Sequence, residues 1–416
     1  MSLLIKNGLL DGMRQDVFID GNRFSVIGPN LGQAADEVID ASNLAILPGL
    51  ANAHTHAAMT LLRGYADDME LHSWLAEHIW PFEVRMTEED VYTGTRLACL
   101  EMIKSGTTFF ADMYWHLPGI VRAVSEMGLR ARLSGDFIDM NDSSRLGELQ
   151  SRISLSMEAS RDWPDRLGFC LGPHSIYTVS RQGLEWARDY SATYGLFVQI
   201  HVSETKGEVD DCLAAHGCRP VEYLYNLGLL GPQTILVHAI WLDGRERDLL
   251  AASGASLAHC PVSNMKLCSG AFPFRDFLHQ NVNVALGTDG CSSNNNLDMF
   301  EEMKFSALWA KYQLMNPTAV TAEESFRAAT RSGYRAFGLD GGEIAVGELA
   351  DCILVDLDHP ALVPNHNLIS NLVYSAHGDC VDTTICDGRI LMRGRKVDGE
   401  AEIVGQARAR VKALTN

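Results

Sequence analysis

The residues best suited to chemistry begin at His54-Thr55-His56, which closes the apolar run Leu44 to Leu50. That run reads as a buried strand. Alternate strand residues share a face, so two imidazoles arrive together at its C-terminal end. Paired imidazole nitrogens are ligands for zinc or ferrous iron. Two partly buried histidines capping a strand are the plainer reading of the same letters. The rest of the chain decides between them. His201 ends Leu196-Phe197-Val198-Gln199-Ile200, His238 ends Thr234-Ile235-Leu236-Val237, and Asp289 ends Asn283-Val284-Ala285-Leu286-Gly287-Thr288. Three imidazoles and one carboxylate (His54, His56, His201 and Asp289) make a sound mononuclear set with a position open for water. His238 then stands nearby as a base or partner. Such an ion lowers the pKa of bound water to about 7 and so supplies hydroxide at neutral pH.

These residues need elements that bring strand ends together. From Pro48 onward short apolar strands alternate with helix-length segments. After the His-x-His strand, the pattern predicts strands at Thr107–Asp112, Arg130–Ser134, Leu167–Gly172, Leu196–His201, Thr234–His238, Ala255–His259 and Asn283–Asp289. Eight strands in this rhythm fit a (β/α)8 TIM-like barrel of the α/β class, whose chemistry sits at the C-terminal strand ends. A doubly wound open sheet would carry a Gly-x-Gly-x-x-Gly fingerprint after an early strand, and none is present. The flanks read differently. Asn7-Gly8, Asp20-Gly21 and Asp387-Gly388 are hairpin signals. Residues 1–47 are therefore expected to form a small antiparallel sheet. Joined by 350–416 they would make a small β-sandwich domain from both chain ends, with the barrel over 48–349. Glu402 to Leu414 reads as a closing helix.

Composition narrows the partners. The net charge of -19 over 416 residues argues against nucleic acid or an anionic membrane, both of which need basic surfaces. The apolar share of 46% is ample for a large core, and no apolar run approaches the roughly 18 residues of a membrane helix. The 10 cysteines include no Cys-x-x-Cys pair and suit reduced, structural thiols in a cytoplasmic protein. The segment Cys260-Pro261-Val262-Ser263-Asn264, after the seventh barrel strand, is expected to shape the pocket floor, with Cys260 packing rather than attacking substrate.

Pro48-Gly49-Leu50 through His56, His201-Val202-Ser203-Glu204, His238 and Gly287-Thr288-Asp289-Gly290 resemble the amidohydrolase superfamily over nearly the whole chain. Gly172-Pro173-His174 stands where a bridging lysine would be expected, which fits the mononuclear branch. Trp80-Pro81-Phe82-Glu83 and Gly172-Pro173-His174-Ser175-Ile176-Tyr177-Thr178 resemble the 5'-methylthioadenosine/S-adenosylhomocysteine deaminase group. That resemblance implies that Glu83 binds the ribose diol and that His174 contacts the nucleoside. Taken alone, Glu83 reads as a solvated helix-end acid and His174 as a strand-end core histidine.

The ligand set and the resemblance together imply hydrolytic deamination of adenosine-type nucleosides. One divalent ion per chain would serve, zinc first, with iron or manganese able to share the ligands. Glu204 and Asp289 would move protons with His238 beside them, and Asp289 and Glu204 would also touch the substrate. Trp74 and Trp80 would lid the base or the 5' group, or else pack in the core. Arg145 would hold a substrate carboxylate, or else is a surface charge. The sequence leaves the 5' substituent, the native metal and any homo-oligomer open. The alternatives are a hydrolase of another aromatic ring (guanine, cytosine, a pterin or a triazine), which should not need Glu83, and a non-catalytic barrel, a class that usually loses ligands.

Overall fold

The computed structural model describes residues 2–135 and 137–415. The chain opens with β1 (Ser2–Leu10), β2 (Met13–Asp20), β3 (Arg23–Gly28), β4 (Glu37–Asp40) and β5 (Leu44–Pro48). A ring of strands follows: β6 (Leu50–His56), β7 (Thr107–Met113), β8 (Arg130–Ser134), β9 (Leu167–Phe169), β10 (Val198–Val202), β11 (Thr234–His238), β12 (Ser256–His259), β13 (Asn283–Leu286) and β14 (Asp289–Gly290). The chain returns to sheet with β15 (Cys352–Asp356), β16 (Val381–Cys386) and β17 (Arg389–Met392), then ends in the helix Glu400–Thr415.

The ring is a TIM-type barrel. Parallel pairing runs β14-β6-β7-β8-β9 and β10-β11-β12-β13. Isolated parallel bridges, Leu171 to Val198 and Ser175 to His201, join the two arcs. Ala51, Ala53, Phe109, Ala111, Ile235, Val237, Ala258 and Ala285 form one apolar cluster, closed by Tyr334 and Phe337. Residues from β7 and β11 meet in it although those strands lie far apart round the ring, which only the interior of a closed ring allows. Every strand thus presents its C-terminal end to the same rim.

Three local departures from the sequence expectation matter for the site. The run Leu44 to Leu50 is two strands, not one. β5 pairs with β15 of the terminal sheet, and β6 starts the barrel after Gly49, where a Cβ would fall 1.9 Å from Thr108 Oγ1. The fourth barrel strand stops at Phe169 rather than reaching Gly172. The eighth breaks at Gly287-Thr288: β13 stays on β12, while Asp289-Gly290 shifts to pair with Thr55-His56. Gly287 allows the break, since a Cβ there would lie 2.8 Å from the His54 carbonyl oxygen. Asn52 holds it, accepting the Thr288 N–H at 3.0 Å and donating to Thr288 Oγ1 at 2.7 Å.

Strands from both chain ends form one sheet in the order β17-β16-β15-β5-β1-β2-β3, with β4 beside β1. It is mixed rather than antiparallel, because the chain crosses back after β3 and lays β4 parallel to β1, with Ile39 beside Ile5 in the buried cluster. Arg130 at the start of β8 ties this sheet to the barrel. Its Nε donates to Asp351 Oδ2 at 2.6 Å, and its terminal nitrogen donates to Asp387 Oδ1 at 2.9 Å. Tyr334 donates to the same Asp351 oxygen at 2.9 Å. Removing either partner of such a buried pair would leave the other charge buried and uncompensated, so the two units are tied at this point. Among the described residues no helix is long and apolar enough to cross a membrane.

Candidate active site and metal centre

β6 brings His54 and His56, β10 brings His201, and the displaced β14 brings Asp289. One ligand atom from each lies within 4.8 Å of all the others. His54 Nε2 is 3.1 Å from His201 Nε2 and 3.6 Å from Asp289 Oδ1, while His56 Nε2 is 3.3 Å from that oxygen. The other ring nitrogens are spoken for. His56 Nδ1 donates to the Met113 carbonyl at 2.6 Å and His201 Nδ1 to the His174 carbonyl at 2.7 Å. His54 Nδ1 donates to Gln199 Oε1 at 3.2 Å. Gln199 is oriented for that role, because its Nε2 donates to the Asp112 carbonyl at 3.2 Å. Each imidazole is thereby fixed with its Nε2 lone pair facing the centre, as in metal-ligating histidines.

The electrostatics agree. Burial pushes His54 down to about 4 from its ordinary 6.5, and burial plus neighbouring imidazoles push His201 well below it. Burial alone would raise Asp289, but the neighbouring His54, His56 and His238 imidazoles hold it well below the usual carboxylate range. Neutral imidazoles and an ionised carboxylate are the forms that ligate. Three nitrogens and one hard oxygen fit a divalent ion such as zinc.

Around this centre lie the groups that can move protons. Glu204 Oε2 is 3.7 Å from His238 Nε2. His238 Nδ1 donates to Asn264 Oδ1 at 2.9 Å. Asp289 Oδ2, turned from the histidines, accepts from Ser263 at 2.7 Å and Ser293 at 3.2 Å. The Ser203 and Glu204 N–H groups donate to the Glu208 carboxylate at 2.8 and 2.9 Å, and burial raises Glu208 to about 7. Ser203, His238 and Asp289 all have left-handed backbone, with φ of 50°, 68° and 59°. Such strain costs of order 1 kcal/mol or more per residue and persists where surrounding structure enforces it, commonly at functional sites.

The pocket above is walled by Trp74, Trp80, Glu83, His174 and Tyr114, and reaches His56, Glu204, His238 and Asp289. Glu83 comes from the short helix Trp80–Glu83, directly after a π-turn at Leu75–Ile79, a feature common at functional sites. It is no solvated acid: its Oε1 is buried without a hydrogen-bond partner among the described residues, and burial raises its pKa against the opposing pull of Tyr114, His56 and Trp115. The His174 ring lies 4.8 Å from that of His201, with Nδ1 against Thr178 Oγ1 at 3.0 Å. Burial lowers His174 to about 3.

Arg145 is not brought to this pocket. It lies exposed in the turn Ser143–Arg145 and borders an adjoining cavity of about 1010 Å³ that shares Trp80, Glu83 and Phe137 with the site. Cys260 sits in the apolar interior cluster and does not line the pocket. Burial raises its thiol well above the usual range, which disfavours a nucleophile. Sequence reasoning gave no role to Gln199, Ser269 or Glu208, and placed Ser263 and Asn264 only within a pocket-floor segment. Only Gln199 carried a clear signal, being two residues before His201 on the same strand face.

Comparison with known proteins agrees with this geometry. The profile of the amidohydrolase family matches residues 45–391. A 5'-deoxyadenosine deaminase of Methanoregula boonei is 46% identical over 98% of this chain and 93% of its own. A 5-methylthioadenosine/S-adenosylhomocysteine deaminase of Archaeoglobus fulgidus is 44% identical over 99% of this chain and 97% of its own. In three dimensions, an adenosine deaminase from Xanthomonas campestris, solved with bound zinc, superposes with a TM-score of 0.94 at 34% identity, covering 99% of this chain and 98% of that one.

Proposed function

The chain belongs to the amidohydrolase family, and from that premise we propose that it hydrolyses the 6-amino group of adenosine-type nucleosides to the inosine analogue and ammonia. The substrate class spans 5'-deoxyadenosine, 5'-methylthioadenosine, S-adenosylhomocysteine and adenosine. The observation that carries this reading is the meeting of a four-donor centre, the facing pair Glu204–His238 and a buried, unpartnered Glu83 oxygen in one pocket.

His54, His56, His201 and Asp289 would hold one divalent ion, zinc in our reading, with iron or manganese able to share the ligands; when bound it supplies the Lewis acidity that makes water reactive at neutral pH. The protein's own groups account for the rest. Water oxygen bonds to C6 of the adenine ring, and Asp289 takes the proton that water loses, with His238 alongside. Glu204 delivers a proton to ring N1 as C6 becomes tetrahedral. The Glu204 carboxylate so freed takes the proton of the new C6 hydroxyl and passes it to the amino nitrogen as the C6–N bond breaks, C6=O forms and ammonia leaves; the proton held by Asp289 then restores Glu204. Such proton transfers contribute about 100- to 10,000-fold each. Glu83 accepts from the two ribose hydroxyls, which a carboxylate can do with both oxygens. His174 contacts the nucleoside, and Trp74 and Trp80 cover it. Arg145, on the adjoining cavity, is proposed to meet the carboxylate of a long 5' substituent. The terminal sheet, from residues 1–47 and 350–416, is read as a small β-sandwich unit with its own apolar cluster.

The test is a panel of adenosine derivatives and free bases offered to metal-loaded protein, followed by the ultraviolet shift from adenine to hypoxanthine. Turnover of nucleosides supports the proposal. Turnover of free bases or triazines with none of any nucleoside overturns it in favour of another ring hydrolase.

A further inference from the structure

The segment after β12, from Ser263 to Ser269, touches each of the proton-handling side chains in turn. Ser263 Oγ donates to Asp289 Oδ2 at 2.7 Å, and Asn264 Oδ1 accepts from His238 Nδ1 at 2.9 Å. Ser269 Oγ donates to Glu204 Oε1 at 3.1 Å. The last contact stands apart, because Ser269 reaches Glu204 from a loop beyond the helix Pro261–Lys266. That loop is pinned on both sides. The Ser269 N–H donates to the Asn264 carbonyl at 2.9 Å, and Trp241 Nε1 donates to the Ser269 carbonyl at 2.6 Å. Ser269 is buried, at 5% exposure, so water does not readily replace its hydroxyl.

From this geometry we infer that Ser269 is a positioning residue for Glu204. A carboxylate has two equivalent oxygens and rotates about its last bond. The Ser269 hydroxyl removes that equivalence by occupying Oε1, which leaves Oε2 facing His238 Nε2 and the pocket. Oε2 is then the oxygen that carries and releases the proton. Ser269 does not line the pocket, and its side chain bonds Glu204 rather than a metal donor, so it acts through Glu204. The inference rests on the deaminase reading for its kinetic form, and on the hydrogen bond alone for its structural form.

The test compares metal-loaded wild type with Ser269→Ala, Ser269→Thr, Glu204→Gln and the double variant Glu204→Gln/Ser269→Ala, using 5'-deoxyadenosine. Loss of one hydrogen bond to a charged group predicts a fall in kcat of about ten- to hundredfold for Ser269→Ala. KM and metal content stay unchanged, and Ser269→Thr restores the rate. A residue that acts only through Glu204 adds nothing once Glu204 is disabled, so the double variant should match Glu204→Gln. A wild-type kcat in Ser269→Ala overturns the inference. So does a double variant that is slower than Glu204→Gln by the full single-variant factor. Crystal structures of metal-loaded wild type and Ser269→Ala need no substrate. Glu204 should hold one orientation in the first and turn from His238 in the second; an unmoved Glu204 overturns the inference. A wild-type protein that turns over no nucleoside overturns the deaminase reading instead.

Discussion

The Nε2 atoms of His54 and His201 face each other across 3.1 Å, and each ring has already donated its Nδ1–H elsewhere. Two lone pairs held that close repel unless a cation shares them, so the protein is built to be completed by an ion. Metal removal should therefore destabilise the fold. An ion at a hundredfold excess over its dissociation constant adds about 2.7 kcal/mol. Chelated protein should melt lower, with the melting temperature recovering as ion is titrated back. His201→Ala should bind less than one ion per chain by elemental analysis. Identical melts with and without metal would contradict the arrangement.

Asn264 sets the tautomer of His238. Its Oδ1 accepts from His238 Nδ1, and its Nδ2 faces His259 Nδ1 at 3.4 Å, which orients the amide. Asn264→Leu should leave the imidazole free to turn or to switch tautomer, lowering kcat about tenfold or more while metal is retained. Asn264→Asp, which keeps the acceptor, should lose less. The check is steady-state kinetics alongside metal analysis.

Glu83 should read the ribose and not the ring. Glu83→Ala is expected to raise KM about ten- to hundredfold for nucleosides with both ribose hydroxyls, the loss typical of hydrogen bonds to a charged group. A 2',3'-dideoxy substrate should be handled about equally by both enzymes. Equal losses on the two substrates would place Glu83 in pocket structure instead.

His259 gives the stability a pH dependence. It is buried, stacked on Phe272 at 4.1 Å, and burial lowers it to about 3 from its ordinary 6.5. Between those values the unfolded chain binds a proton that the folded chain refuses. Its contribution is therefore complete above pH 6.5 and is lost as pH falls, by about 1.4 kcal/mol per pH unit. His259→Phe keeps the stack and removes the proton. Denaturant unfolding from pH 6.5 to 4.5 should show a shallower loss in the variant than in the wild type.

Why some of this was legible in the letters and some was not follows from what strands do. His54, His56 and His201 sit at the ends of apolar runs, and strand periodicity with barrel closure sends such ends to one rim. Asp289 reads the same way, although its strand is broken at Gly287-Thr288 by Asn52, a partner 236 residues away. Ser263 and Asn264 were legible only as part of a pocket-floor segment and Ser269 not at all, because short polar residues are common and only tertiary contact gives them a direction. Arg145 shows the converse. Its type suited a carboxylate, but type carries no distance, and it stands exposed on the adjoining cavity. The antiparallel reading of the N-terminal strands missed the crossover that makes β4 parallel to β1, since hairpin signals report turns and not the longer return.

The most direct test of the account is to run the reaction in ¹⁸O-labelled water. Metal-loaded wild-type protein, given 5'-deoxyadenosine, should release one ammonia per nucleoside consumed and place one heavy oxygen at C6 of an intact inosine analogue. Glu204→Gln, with its metal retained, should do neither at an appreciable rate. Free adenine in place of a deaminated nucleoside, or no product from a fully metal-loaded enzyme, would contradict the assignment.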